Sequence, residues 1–213
     1  MNKTLALALL TAPLVGAGFL PAAPAVAQGN SSVAQLAMVQ AHLKAVSSMT
    51  ADFTQTDRKG QTVSGNLLLK KPGKIRFAYG KDVPMLIVAD GKSLTMIDYD
   101  VKQVQRWPIK NSPLSVLLDP DHDMSRYGKI VETGDPNVVS IEVKDPKKPE
   151  YGVINMVFVK QASAPGGLML RGWVALDAQN NRTSIRLSNQ RFNVAVADSS
   201  FRWTDPRAKS RGR

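Results

Sequence analysis

The stretch Met85-Leu86-Ile87-Val88-Ala89-Asp90-Gly91-Lys92-Ser93-Leu94-Thr95-Met96-Ile97-Asp98 decides the fold class. Two short apolar runs flank Asp90-Gly91, a dipeptide favoured where antiparallel strands reverse within two residues because glycine accepts the positive φ such a turn requires. Strands are predicted over 84–90 and 93–99. Working outward, period-two runs over 50–58, 62–70 and 74–79 precede the hairpin and 103–109 follows it. After an interruption come 127–133, 138–143, 151–160, 168–177 and 182–190. Lys59-Gly60, Pro72-Gly73 and Asn180-Asn181 supply turn chemistry at the breaks. About eleven strands in one antiparallel meander exceed what a twisted sheet carries flat, so the sheet must curl or close. The expected class is mainly β, a barrel or deeply curved sheet with a few helices.

Several strands are apolar on both faces, notably Leu67-Leu68-Leu69, Met85-Leu86-Ile87-Val88 and Met156-Val157-Phe158-Val159, whereas a water-facing antiparallel sheet alternates cleanly. Something must cover the second face, and two segments are available. Leu36, Val39, Leu43 and Val46 recur at helical spacing, predicting an amphipathic helix with Ser32 as its N-cap. The run Ser112-Pro113-Leu114-Ser115-Val116-Leu117-Leu118-Asp119-Pro120 reads as a short helix with a capping serine, proline in its first turn and a terminating Asp-Pro. Too short to be stable alone, it must lie on apolar surface, either as a fixed plug or as a movable lid carrying Leu114, Leu117 and Leu118. The candidate lining of a cavity beneath is Leu67 and Leu69, Ile75 and Phe77, Met85 and Ile87, Leu94 and Met96. The pattern does not say which strand face points inward.

The 213 residues suit one domain. Lys3, the apolar run Leu5 to Leu20 and Ala25-Val26-Ala27 follow the grammar of a secretory signal, predicting residues 1–27 as a signal peptide, 28–206 as a single domain and 207–213 as a basic tail. Pro13, Gly16 and Gly18 interrupt the run and argue against a membrane anchor. Cysteine is absent, so there is no disulfide framework, thiol nucleophile or lipid-acceptor cysteine. A net charge of +11 suits nucleic acid in a cytosolic protein; for an exported chain it points to anionic headgroups or acidic protein surfaces. His42 and His122 lie far apart outside any metal-ligand spacing and read as surface residues. Gly91-Lys92-Ser93 lacks the first glycine of a phosphate loop and belongs to the hairpin. No nucleophile elbow occurs, and Asp98 and Asp100 read as a strand end. No catalytic residue, metal or cofactor is expected, and the chain reads as not an enzyme.

Four stretches carry a resemblance to the LolA family of outer-membrane lipoprotein carriers: Ala51-Asp52-Phe53-Thr54-Gln55 after a helix; Gly65-Asn66-Leu67-Leu68-Leu69-Lys70-Lys71-Pro72 leading into Ile75-Arg76-Phe77; Leu86 to Leu94 followed by the Ser112-Pro113-Leu114 helix; and Phe201-Arg202-Trp203-Thr204-Asp205-Pro206. The resemblance spans roughly Val33 to Asp205. It implies an unclosed antiparallel β-barrel with a helical lid around a hydrophobic cavity. Such a carrier works in the periplasm as a monomer. It takes lipoproteins from an inner-membrane ABC-type release complex, shields their acyl chains and passes them to an outer-membrane receptor. Relatives often hold an arginine before the proline, tying the lid shut; here Lys71 stands there, with hydrogen bonds to offer but no planar fork. Ile75 occupies a mouth position where an aromatic is common. A further C-terminal strand found in some members is expected to be missing. A lipid-sensing or regulatory domain of the same fold is the alternative function, and an enzyme acting on lipid or cell wall comes third.

Overall fold

The computed structural model describes residues 26–111, 114–119, 124–147, 149–177 and 179–207. Eleven strands run in chain order: β1 (Ser48–Thr56), β2 (Thr62–Lys70), β3 (Lys74–Tyr79), β4 (Met85–Asp90), β5 (Ser93–Asp98), β6 (Gln103–Pro108), β7 (Gly128–Val131), β8 (Val138–Lys144), β9 (Val153–Lys160), β10 (Leu168–Leu176) and β11 (Arg182–Phe192). Their bounds match the predicted ones to within two residues, because the turns are chemically marked. At the β4–β5 hairpin Gly91 has φ +100°, and Asp90 Oδ1 accepts the Lys92 and Ser93 N–H groups at 2.9 and 2.8 Å. Gly73 turns at φ +73° so close to the neighbouring turn that a Cβ there would meet Gly91 Cα at 2.6 Å. Asp98 Oδ1 closes the β5–β6 turn by accepting from Asp100 and Val101.

The sheet order is β6-β5-β4-β3-β2-β1-β11-β10-β9-β8-β7. This departs from a single open meander. The first and last strands pair antiparallel in the middle, and the chain-consecutive strands β6 and β7 become the two edges. The physical reason lies in the edges themselves. β1 and β11 offer ladders of 9 and 11 residues, whereas β7 has 4 residues and β6 ends on Pro108, which has no N–H to donate. The barrel is therefore unclosed, and the opening falls where residues 109–127 carry the chain from one edge to the other.

Cross-strand register settles which face is which. Leu67 pairs with Phe77 and Leu69 with Ile75; Phe77 with Ile87 and Ile75 with Ala89; Ile87 with Met96 and Ala89 with Leu94. These residues share the inner face. All but Met96 join the main apolar core with Phe53, Phe158, Trp173 and Leu187. Helix α1 (Val26–Ala45) packs on this face through Val39 and Leu43, with Leu36 half-buried. Two single-turn helices, α2 (Ser115–Leu118) and α3 (Met124–Tyr127), close over it as well. Thus α1 and the apolar segment cover only the concave side. The opposite apolar face, with Leu68, Leu86, Val88 and Ile97, is covered by the C-terminal segment through Phe201 and Trp203. Lys70 Nζ ties that segment by donating to Val196 O and Asp198 Oδ1, and Arg76 Nη1 donates to Arg202 O.

Two local expectations change. Helix α1 begins at Val26, so Ser32 is an interior residue and not its cap. Residues 26–31 contain no proline, and their one glycine costs only about 1 kcal/mol in a helix. The apolar segment forms just one turn, with Leu114 at the N-cap position making no side-chain capping bond; Ser112, Pro113 and Pro120 lie outside the described residues. So do most of the predicted signal peptide, His122 and tail residues 208–213, and the predicted cleavage point after Ala27 falls in the first turn of α1.

Candidate functional site

The site is the inner face of the half-barrel and its covers. Along β2 to β5, period-two alternation aims Leu67, Leu69, Ile75, Phe77 and Leu94 inward, each at most 4 % exposed, with Ile87 half-buried against the same core. Met85 and Met96 belong to this face by register, Met85 opposite Asp98 and Met96 opposite Ile87, but both remain half-buried. One face therefore collects all eight candidate lining residues. Across the barrel, Trp173 of β10 meets Phe77 edge-on at 6.2 Å, and Phe53 stands edge-on to both Phe77 and Tyr79 at 5.3 and 5.2 Å. The aromatic quadrupoles favour these T-shaped contacts. Polar chemistry on this face is sparse. Tyr79 Oη donates to Gln55 Oε1 at 2.8 Å, and burial pushes its pKa up to about 12 despite that bond.

The two covers are held differently. Helix α1 is anchored over the turn Pro165–Gly167: Gly166 sits at φ +65°, and a Cβ on it would strike the His42 backbone N at 2.6 Å. His42 is buried, 2 % exposed, which overturns its reading as a surface residue. Its Nδ1 lies 2.7 Å from Pro165 O, so this nitrogen carries the proton and donates. Its ring stands edge-on to Phe158 and Phe192 at 5.4 and 5.8 Å. Burial lowers its pKa below 6.5, opposed by the bond to Pro165 and reinforced by the Lys71 charge. The signal was present in the sequence: positions 39, 42, 43 and 46 share one helix face, and the histidine stands among its apolar neighbours.

Helix α2 is seated through its side chains. Val116, Leu117 and Leu118 are buried and Leu114 packs half-buried against the core. A backbone bond from Gly73 N–H to Leu118 O at 3.0 Å ties its end to the β2–β3 turn. Lys71 lies at the junction of both covers. Its Nζ donates to Leu43 O near the C-terminal end of α1, a position where a cation also complements the helix dipole. Burial lowers the ammonium pKa to about 8, with Asp119, just past α2, acting in the opposite sense. Leu118 and Lys71 thus come together at the β2–β3 turn, with Leu114 and Leu117 packed on the same core. Among the described residues no helix is long and apolar enough to cross a membrane.

The family model described as outer membrane lipoprotein carrier protein LolA matches residues 44–204. The chain belongs to the LolA family. A LolA-family relative from Chromobacterium violaceum, an outer-membrane lipoprotein carrier protein, is 33 % identical over 208 residues, covering 93 % of each chain. A relative of the same description from Methylobacillus flagellatus is 30 % identical over 177 residues, covering 79 % of this chain and 83 % of its own. The crystal structure of a LolA superfamily protein from Nitrosomonas europaea is similar at a TM-score of 0.42 and 9 % identity, over 81 % of this chain and 97 % of its own.

Proposed function

We propose that this LolA-family chain carries lipoproteins by sheltering their acyl chains between the inner face of the half-barrel and its helical covers. The observation that carries the reading is the contrast between covers: an apolar inner face is closed partly by a 20-residue helix anchored on the Pro165–Gly167 turn and partly by a separate single turn seated through apolar side chains. A core meant only to be stable gains from uniform close packing; one that must admit a guest needs a cover that detaches. Acyl chains enter as the α2 turn lifts and lie against Leu67, Leu69, Ile75, Phe77, Met85, Ile87, Leu94 and Met96. The methionines on the half-buried side suit chains of varied shape. Each methylene removed from water is worth about 0.8 kcal/mol, so a covered route lowers a barrier that free diffusion could not cross usefully. Lys71 acts as the latch in place of an arginine fork, bonded to Leu43 O of α1 and drawn electrostatically to Asp119 at the end of α2.

In this reading residues 1–27 direct export, and the remainder works in the periplasm as a monomer and not as an enzyme. It loads from an inner-membrane ABC-type release complex and unloads to an outer-membrane receptor of higher affinity, without nucleotide or other cofactor in this chain. Mass spectrometry of material co-purified with the protein from periplasm tests it. Triacylated proteins are expected, together with a new N-terminus at Gln28 and lipoproteins stranded in the inner membrane on depletion. Recovery of a free lipid or a bound signalling protein instead, with lipoprotein sorting normal in a strain lacking a second carrier, would refute it.

A further inference from the structure

The outer face of the sheet carries a feature that the interior does not use. Along β11, Ile185 and Leu187 face the core, so the alternate residues Arg182, Ser184 and Arg186 face outward. With Arg171 on β10 and Thr54 and Thr56 on β1, they line a trough of about 770 Å³. Register places it: Arg186 lies opposite Gly172, next to the bulge that turns Arg171 out, and Thr54 and Thr56 pair with Arg186 and Ser184. Three guanidinium groups line the trough and no carboxylate does.

The cations are not neutralised from nearby. Arg171 Nη1 makes only a long contact of 3.8 Å to Met169 Sδ. Among the described residues Arg182 and Arg186 have no ion pair or side-chain hydrogen bond. The carboxylates on adjoining stretches make no ion pair with them and hold neutral donors instead. Asp52 accepts from Asn66 and Asn189, Asp57 from Lys59 and Gln61 in its own turn, and Asp177 from Gln179 and Asn181. Arg58, a further cation at that end of the strands, donates to Asn181 Oδ1. The Ser184 hydroxyl oxygen is buried and has no hydrogen-bond partner.

We propose that this trough docks an extended acidic segment of a partner protein, whose carboxylates pair with Arg182 and Arg186. The spacing favours such a guest over a point anion. At about 3.4 Å per strand residue, Arg182 and Arg186 are about 14 Å apart, and an extended peptide presents every fourth side chain at the same interval. A lone phosphate would bridge no such pair. A bilayer is met by projecting apolar and basic side chains, whereas here the apolar residues Val157 and Val174 form a half-buried floor. Arginine forks grip carboxylates bidentately, and an excess of cations across the chain, net +11, steers an acidic partner from a distance. The site goes beyond the carrier reading and does not depend on what the interior holds.

Fluorescence anisotropy of a fluorescein-labelled peptide alternating Glu and Ser, added to the purified protein at low salt, tests the proposal, with Gln in place of Glu as control. The Glu peptide is expected to bind at least about tenfold more tightly than the Gln peptide and to weaken as salt is raised. The R182Q/R186Q double variant, altered only on the solvent side, should lose about tenfold or more while keeping the wild-type melting temperature and its binding of a fluorescent fatty acid. Should that variant melt early, R182K/R186K retains the charge and reads the fork alone, and weakened peptide binding is again expected. Equal affinity for the two peptides overturns the proposal, as does binding unchanged in the variants. So does arginine-dependent sedimentation with vesicles of equal parts phosphatidylglycerol and phosphatidylcholine in the absence of peptide binding, which would make the occupant a membrane.

Discussion

Replacing Leu117 and Leu118 together by aspartate separates a detachable cover from a core element. Both leucines are 2 % exposed in α2. Burying a leucine stabilises by about 1.5–3 kcal/mol, so the double substitution removes about 3–6 kcal/mol of seating. Val116, about 1.5–3 kcal/mol, the half-buried Leu114 and the hydrogen bond from Gly73 to Leu118 O, about 1 kcal/mol, still hold the turn. Against this, an unpaired carboxylate costs several kcal/mol to bury, and there are two. The turn therefore stands off the barrel. The sheet, its aromatic cluster and the anchored α1 keep their own packing, because α2 supplies three of the 27 buried core residues among those described. An acyl chain that loses cover over about two methylenes loses about 1.6 kcal/mol, which corresponds to dissociation roughly fifteen times faster. Stopped-flow release of a fluorescent fatty acid, set beside thermal unfolding of the same preparation, checks this. Unchanged release from a folded variant would refute the lid, and loss of cooperative unfolding would show that α2 is core.

Three further outcomes are expected. Gly166→Ala should destabilise by about 2–4 kcal/mol in denaturant titration, combining a positive φ unsuited to alanine with displacement of the α1 backbone at His42; a change below about 0.5 kcal/mol would mean that α1 is not anchored there. Lys71 releases its proton near pH 8 when folded but near 10.5 when unfolded, so the folded state binds fewer protons in between; wild-type stability should rise relative to Lys71→Met from pH 8 towards 10.5, and parallel denaturation midpoints across that range would contradict the burial of its ammonium. His42 has its folded pKa held below 6.5, so its contribution is full above that pH and is lost as pH falls through the window beneath it; acid melting of His42→Gln should show a shallower dependence there than wild type, and identical slopes would place the histidine in water.

Much of the architecture was legible because its signals are local. Turn glycines and aspartates such as Asp90-Gly91 bound each strand within a few residues, and period-two alternation grouped Leu67 with Leu69 and Ile75 with Phe77 before any contact was known. The helix face through Val39 and Leu43 is likewise a matter of spacing along one element. Which face of β2 to β5 turns inward was not legible, because both faces are apolar and alternation alone cannot rank them. Only long-range pairing decides it: β1 joins β11, the C-terminal Phe201 and Trp203 return to cover the outer face, and the inner face is left for α1 and α2. The same closure buries His42, whose nearest polar partner, Pro165, is 123 residues away in the chain. It also sets Arg182 and Arg186 of one strand beside Arg171 of another, across from threonines more than a hundred residues upstream. Strand identity is encoded in neighbours and turns. The barrel's inside and outside, and the sites on each, follow from which distant strands meet, and burial energy settles that for the whole sheet at once.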